Sequence, residues 1–205
     1  MLRENCKIKF GTPKEFTEKV QIAERCLEIA NAADFPTDYD DVYEHLFGND
    51  DYIICFLIDT HTKRIMGFSV FANLQEINML YLHGIIIHPD VQGNSLSKRM
   101  IREVLKKVNP KYLSARTHNP RMFETLSSFA KDEKHYFPNA SGLDIAPYIY
   151  NVVKSNEFTR AADECLVCRN AYPDEKISQS YRNNKVTTIF NKLNPTDAQV
   201  IVVQL

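Results

Sequence analysis

The residues best suited to chemistry lie in one continuous stretch, Tyr81–Ser97. An apolar run that contains His83 is typical of a buried strand, a short loop with Gly93 follows, and an amphipathic helix begins near Ser95. The first N–H groups of a helix have no acceptor within the helix, and the helix dipole adds positive potential at the same end. This junction therefore predicts an anion site, and a pyrophosphate is its natural guest.

The residues of the junction exclude two common phosphate-binding loops. The Gly-Lys-Ser/Thr ending of a P-loop is missing, and no Gly-x-Gly precedes the helix as a dinucleotide-binding turn requires. An ordinary turn between a strand and a helix, or a site for another phosphate, is still compatible with the pattern.

The stretch resembles the CoA loop of the GNAT superfamily, which reads Gln/Arg-x-x-Gly-x-Gly/Ala. The segment 92–97 occupies that frame, with Ser95 in place of glycine and Ser97 in place of glycine or alanine. The resemblance extends over Tyr52–Ala130 and implies acetyl-CoA as co-substrate. The residues that it assigns to CoA are the strand end Ile85, Ile86 and Ile87, the loop residues Gln92, Gly93, Asn94, Ser95, Leu96 and Ser97, and the following Asn119.

His83 is the candidate catalytic base. Tyr81-Leu82-His83 is similar to the arylalkylamine acetyltransferases, in which a histidine at this position helps to remove the amine proton. Imidazole titrates in the range that this task needs, although a hydrogen-bonded core histidine is an equal alternative. Tyr81 lies on the same strand face and is expected to pack or to bind the amine.

The proton donor to the CoA thiolate is not identified by the sequence. Many members of the superfamily place a tyrosine about seven residues after the asparagine, and here Leu126 stands at that position. Tyr136 and Tyr148 are the substitutes that the sequence offers.

The elements that must position these residues follow from periodicity and end signals. Thr12-Pro13-x-Glu15 predicts a helix start, and Ile77–Ile87 predicts a central strand buried on both faces. Strand-helix-strand units around the third helix favour an α/β fold with a mixed sheet, as in GNAT proteins. The remaining predictions are strands at 7–10, 52–58, 65–71, 111–117 and 199–204 and helices at 39–47, 95–108, 120–130 and, less regularly, 145–155.

Composition and charge limit the classes of function. The 205-residue chain has a formal net charge of -1, which gives no reason to expect nucleic acid as a partner. It has no apolar run long enough to span a bilayer, and its first residues do not resemble a signal peptide. Five cysteines then suggest reduced thiols in a cytoplasm, and the lone Cys165-x-x-Cys168 lacks further zinc ligands, so no metal is expected.

The sequence thus predicts a single GNAT-like domain over residues 1–205, in which 138–205 completes the sheet and part of the acceptor pocket. The expected reaction is direct transfer of an acetyl group from acetyl-CoA to a primary amine, with no nucleic acid or membrane as partner and a homodimer left open. The departures at Ser95 and Leu126 keep a non-catalytic acyl-CoA-binding or regulatory domain as an alternative. A protein-interaction module, which would have no affinity for CoA, is a third. The acceptor is not identified by the sequence.

Overall fold

The computed structural model describes residues 5–132, 135–138, 151, 153, 166–171, 186, 189–194 and 196–205. Among these residues no helix is both long and apolar enough to cross a lipid bilayer. Eight strands and four α-helices lie within them, and their order along the chain is β1 (Cys6–Gly11), α1 (Lys19–Ala32), α2 (Tyr39–Phe47), β2 (Ile53–Asp59), β3 (Ile65–Leu74), β4 (Met79–Ile87), α3 (Leu96–Val108), β5 (Tyr112–Thr117), α4 (Pro120–Ser127), β6 (Tyr136–Phe137), β7 (Val167–Cys168) and β8 (Ala198–Gln204).

The chain divides into two compact units. The first contains Met1–Asn73 and Leu82–Asn109, and the second contains Leu74–Tyr81 and Pro110–Leu205. The division falls within β4, so the first residues of this strand belong to the second unit and its last residues to the first.

The first unit is built on antiparallel strands. β1 pairs with β2, and β2 pairs with β3, with a bulge in β2 between Leu57 and Ile58. The strand end of β4 lies beside β3, where the N–H of His88 donates to the carbonyl of Met66 at 2.8 Å. α3 packs on β1 and β2, and its apolar stripe is buried through Leu96, Met100, Ile101 and Val104. This packing anchors α3 on the strands of the first unit.

The N-terminal helix begins later than the sequence predicts. Thr12, Pro13 and Glu15 do form a capping box, but they close only a short 3-10 turn, and the α-helix starts at Lys19. Phe16 leaves the turn in an extended conformation and packs edge-on against Phe56, with ring centroids 5.2 Å apart. The burial of this aromatic ring outweighs the local signal for a continuous helix.

β4 also departs from its prediction. The chain makes a 3-10 turn at Gln75–Ile77 and a left-handed residue at Asn78 before the strand begins at Met79. The first four residues of the strand are buried, but His83–Ile87 are only partly buried. The predicted burial on both faces therefore holds for the first half of the strand alone.

The second unit is organised around β8. This strand pairs antiparallel with β5, β6 and β7, which confirms the predicted strand near the C-terminus. Inside it, the Ser114 hydroxyl donates to the carbonyl of Ile201 at 2.7 Å, which satisfies a buried polar group. α4 packs on β5 and β8 and ends at Ser127, three residues before the predicted end at Ala130. The prediction for 145–155 lies outside the described residues except for two of them.

A buried carboxylate closes the loop before β8. Burial by itself raises the pKa of Asp197, but hydrogen bonds from Arg169, from the backbone of Asn170 and from Asn194 outweigh it and hold the pKa below its usual value. These bonds account for both carboxylate oxygens, so the cluster has a structural explanation.

Candidate functional site

The end of β4 is less buried than its beginning. Ile85, Ile86 and Ile87 are each partly buried, although isoleucine in a central strand is usually fully buried. Gly67 lies on the neighbouring strand, β3. It allows β3 to approach β4 closely, because a Cβ at Gly67 would lie 3.0 Å from the carbonyl oxygen of Ile86. The three predicted CoA contacts of this strand thus lie together at a partly exposed strand end.

Side chains hold the loop after β4 in shape. The Nδ1 atom of His88 accepts from the backbone N–H of Asp90 at 3.3 Å, and Val91 is buried. The side-chain amide of Gln92 donates to the carbonyl of Ile87 at 2.7 Å, and that of Asn94 donates to the carbonyl of Val91 at 3.1 Å. These contacts tie the loop to the strand that it leaves, so its backbone is preorganised.

Two residues of the loop adopt left-handed backbone conformations. Gly93 has φ 79°, and a Cβ at this position would meet nothing within 4 Å. The backbone angle alone therefore favours glycine at this position. Ser95 has φ 56° and ψ 26°, a conformation that costs an L-residue roughly 1–2 kcal/mol. The superfamily's glycine at this position thus has a direct conformational reason, and this chain tolerates strain there.

The start of α3 has the features from which the sequence predicts an anion site. Ser95 is the N-cap residue, but its side chain makes no capping hydrogen bond. Serine is a favourable N-cap residue, yet here it does not cap the helix with its hydroxyl. The first turn has no acidic residue, and Lys98 and Arg99 follow within it or directly after it. The uncapped N–H groups, the helix dipole and these cations all favour a negatively charged guest.

The two remaining loop positions differ in what they can offer. The side chain of Leu96 is 2% exposed and belongs to the core, so only its backbone N–H is available to a ligand. Ser97 is partly buried, one residue further into the helix. The structure brings together all the predicted donor-site residues from Ile85 to Ser97 in the first unit.

His83 lies in the same unit, stacked on a histidine that the sequence analysis missed. The imidazole rings of His45 and His83 are parallel within 11°, with centroids 4.0 Å apart. The ring of Tyr52 lies 5.7 Å from His83 at an angle of 46°. The buried residues Val42 and Leu46 predict an inward face of α2 that includes His45, and this helical spacing is the signal that could have found it.

The other predicted residues of the site belong to the second unit. Asn119 caps α4, where its side-chain oxygen accepts from the N–H of Arg121 at 2.9 Å. Leu126 is fully buried on the inner face of α4, and Tyr81 is fully buried as well. Tyr136 is a partly buried residue of β6, whereas Tyr148 lies outside the described residues.

The described cysteines are poorly suited to act as nucleophiles. Burial raises the pKa of the Cys55 thiol to about 12 and also raises that of Cys26. Burial, reinforced by the nearby charge of Asp59, raises the pKa of Cys6. Cys168 is buried in β7, and Cys165 is not among the described residues. In the described part of the chain, no cluster of three or more histidine, cysteine or acidic residues could hold a metal ion.

Comparison with known proteins supports the same family. Residues 20–125, just over half of the chain, match the model of the acetyltransferase (GNAT) family. The ribosomal-protein-S18-alanine N-acetyltransferase of Escherichia coli has a similar fold, with a TM-score of 0.51 and 13% identity over 97% of this chain and 94% of that one. A provisionally identified phosphinothricin N-acetyltransferase has a TM-score of 0.52 and 12% identity over 97% of this chain and 99% of that one. No curated protein matches the chain.

These matches confirm the predicted fold class, an α/β fold with a mixed sheet of the GNAT type. At such low identity the two structures are informative about the fold alone.

We predict that Ser95→Gly relieves the left-handed strain without harming the donor site. The free energy of unfolding should rise by about 1 kcal/mol, because glycine adopts this conformation at no steric cost. Acetyl-CoA should bind as well as to the unmodified protein or better. Urea unfolding and titration calorimetry measure the two quantities.

Gly93→Val is the matched opposite change. A β-branched residue is strained at φ 79° and would also block the approach of a phosphate, so acetyl-CoA binding should be lost.

For Ser95→Gly, a large loss of affinity for acetyl-CoA would contradict the prediction and show that the serine hydroxyl is itself a ligand.

Proposed function

Because the chain belongs to the acetyltransferase (GNAT) family, we propose that it transfers an acetyl group from acetyl-CoA to a primary amine. The observation that carries this proposal is the left-handed loop between β4 and α3, which presents helix N–H groups beside a partly exposed strand end. The same unit contains His83, whose imidazole can act as a base.

In the proposed donor site, the backbone does most of the binding. The N–H groups of Gly93–Ser97 hold the pyrophosphate of CoA, and Lys98 and Arg99 add positive charge. The backbone of Ile85–Ile87 binds the pantetheine arm in the manner of an added strand. The assignment of Asn119 to CoA, which follows from its place after the next strand, stays a prediction.

The chemical step is an attack by the neutral amine on the thioester carbonyl carbon. His83 accepts a proton from the amine, the new C–N bond forms, and the C–S bond breaks so that the electron pair leaves with the CoA sulfur. Leu126 has no proton to give, so the thiolate leaves as the anion or takes a proton from water or another residue. A thiolate is a tolerable leaving group, because the ordinary pKa of a thiol is about 8.5.

Direct transfer is proposed because the thiols of Cys6, Cys26 and Cys55 are unsuited to a covalent relay. A thiol nucleophile needs a lowered pKa, and the pKa values of Cys6, Cys26 and Cys55 are all raised. An amine held against the thioester needs no relay, since proximity and orientation alone can supply about 7–11 kcal/mol.

A non-catalytic acyl-CoA-binding domain is the second candidate. Two departures from the superfamily pattern favour it: the strained serine at position 95 and the leucine at position 126. Such a domain would bind acetyl-CoA but release no CoA in the presence of any amine.

Initial-rate kinetics with a panel of amines test the proposal. The panel contains small amines, amino acids, aminoglycosides and peptides with free N-termini, and the free thiol of CoA is measured with a thiol reagent. At least one amine should be acetylated, and double-reciprocal plots should give intersecting lines, because both substrates are bound together. Acetyl-CoA binding without turnover across the panel would favour the second candidate, and parallel lines would indicate a covalent intermediate.

We predict that His83→Ala lowers kcat by about 10²-fold or more, the usual scale for loss of a general base. The acid limb of the pH–rate profile should change as well, since imidazole titration no longer contributes to it. Calorimetry with acetyl-CoA controls for the integrity of the donor site. An unchanged rate and pH profile in a variant that still binds acetyl-CoA would assign His83 to the core.

A further inference from the structure

We propose that His45 is a positioning residue, which fixes the ring orientation of the base His83. The inference rests on the proposed function, because it assumes that His83 accepts the amine proton. The two imidazoles are stacked face to face with centroids 4.0 Å apart and planes within 11° of parallel. His45 comes from α2, far from the donor loop in sequence.

Orientation matters for this base because of the chemistry of imidazole. The lone pair that accepts a proton lies in the ring plane, so rotation of the ring moves it away from the amine. The second side-chain torsion of histidine is broad, with no sharp staggered minima of its own. Neighbouring groups must therefore supply the constraint, and a flat ring packed against one face supplies it directly.

Gly84 makes this packing possible. A Cβ at position 84 would lie 2.6 Å from the Nε2 atom of His45, closer than real Cβ atoms approach another atom. The His45 ring thus covers the face of His83 and reaches over the backbone of the next residue. Any side chain at position 84 would displace the His45 ring from its present place.

The rest of α2 holds His45 in place. Val42 and Leu46 are buried, so the helix is anchored on the side that carries the histidine. Asp38 caps its start by accepting from the N–H of Asp41 at 2.9 Å, and the helix packs against α1. Tyr52 adds a tilted ring 5.7 Å from His83. The base is therefore bounded by rings whose own positions are fixed by packing.

Substitution of His45 by residues with and without a ring tests the proposal. His45→Ala removes the stacked ring and should lower kcat by about 10-fold or more, with the KM for acetyl-CoA unchanged, because a misplaced base affects only the chemical step. His45→Phe keeps a flat ring and should restore kcat to within about threefold. Asp40→Asn, an exposed change on the same helix, is the matched control. An equal loss in the Ala and Phe variants would overturn the stacking role.

A double-mutant cycle shows whether His45 acts through His83. In a His83→Ala background, His45→Ala should cost nothing further, because no base is left to orient. Gly84→Ala keeps both imidazoles but displaces the His45 ring, so it should lower kcat as His45→Ala does. Additive losses in the cycle would show that His45 has a separate role and would contradict the proposal.

NMR of the histidine rings gives a result that does not depend on turnover. The chain has six histidines, so the ring signals of His83 can be assigned by their disappearance in His83→Ala. They should show an upfield ring-current shift that is lost in His45→Ala and kept in His45→Phe. If no amine is acetylated but this shift is found, the proposed function fails while the stack stands. If turnover is found and the shift is absent, or is unchanged in His45→Ala, the positioning role of His45 fails.

Discussion

The candidate donor site depends on the left-handed backbone between β4 and α3. Gly93 and Ser95 both have positive φ, which turns the chain sharply enough for the helix to start beside the end of the strand. That turn connects the partly exposed residues Ile85–Ile87 to the first N–H groups of α3. We expect an extended or helical backbone at either position to change the direction in which the chain enters α3. We expect the site then to lose the geometry for binding the pyrophosphate and the pantetheine arm of CoA at the same time.

Several local contacts stabilise this turn. The Gln92 side chain bonds back to the strand, Val91 is buried beneath the loop, and Leu96 fixes the first residue of α3 in the core. Ser95 adds strain of roughly 1–2 kcal/mol, which these contacts must offset. Glycine allows a close contact at two positions near this strand end, Gly67 against Ile86 and Gly84 against His45. A side chain at Gly67 would press on the Ile86 backbone, and one at Gly84 would press on the His45 ring.

Much of this arrangement could be predicted from local sequence. The junction at the end of β4, the helix with its buried stripe and the strand near the C-terminus all follow from periodicity and end signals. The start of α1 could not be predicted, because a correct capping box at Thr12 is overruled by the burial of Phe16 against Phe56. The strain at Ser95 could not be predicted from the sequence either, because a backbone angle is set by how the elements pack. His45 was missed because a stacked pair joins residues that are 38 positions apart in the sequence.

Hydrogen exchange of individual backbone amides, with and without saturating CoA, tests the account most directly. The proposal requires the N–H groups at 93–97 to be donors to the pyrophosphate, and those of the strand end to lie against the pantetheine arm. Their exchange should slow on binding of CoA, while amides at the far end of α3, such as Val108, should keep their rates. Binding of CoA that leaves the exchange of 93–97 unchanged would contradict the account, because the donor would then be held elsewhere in the protein.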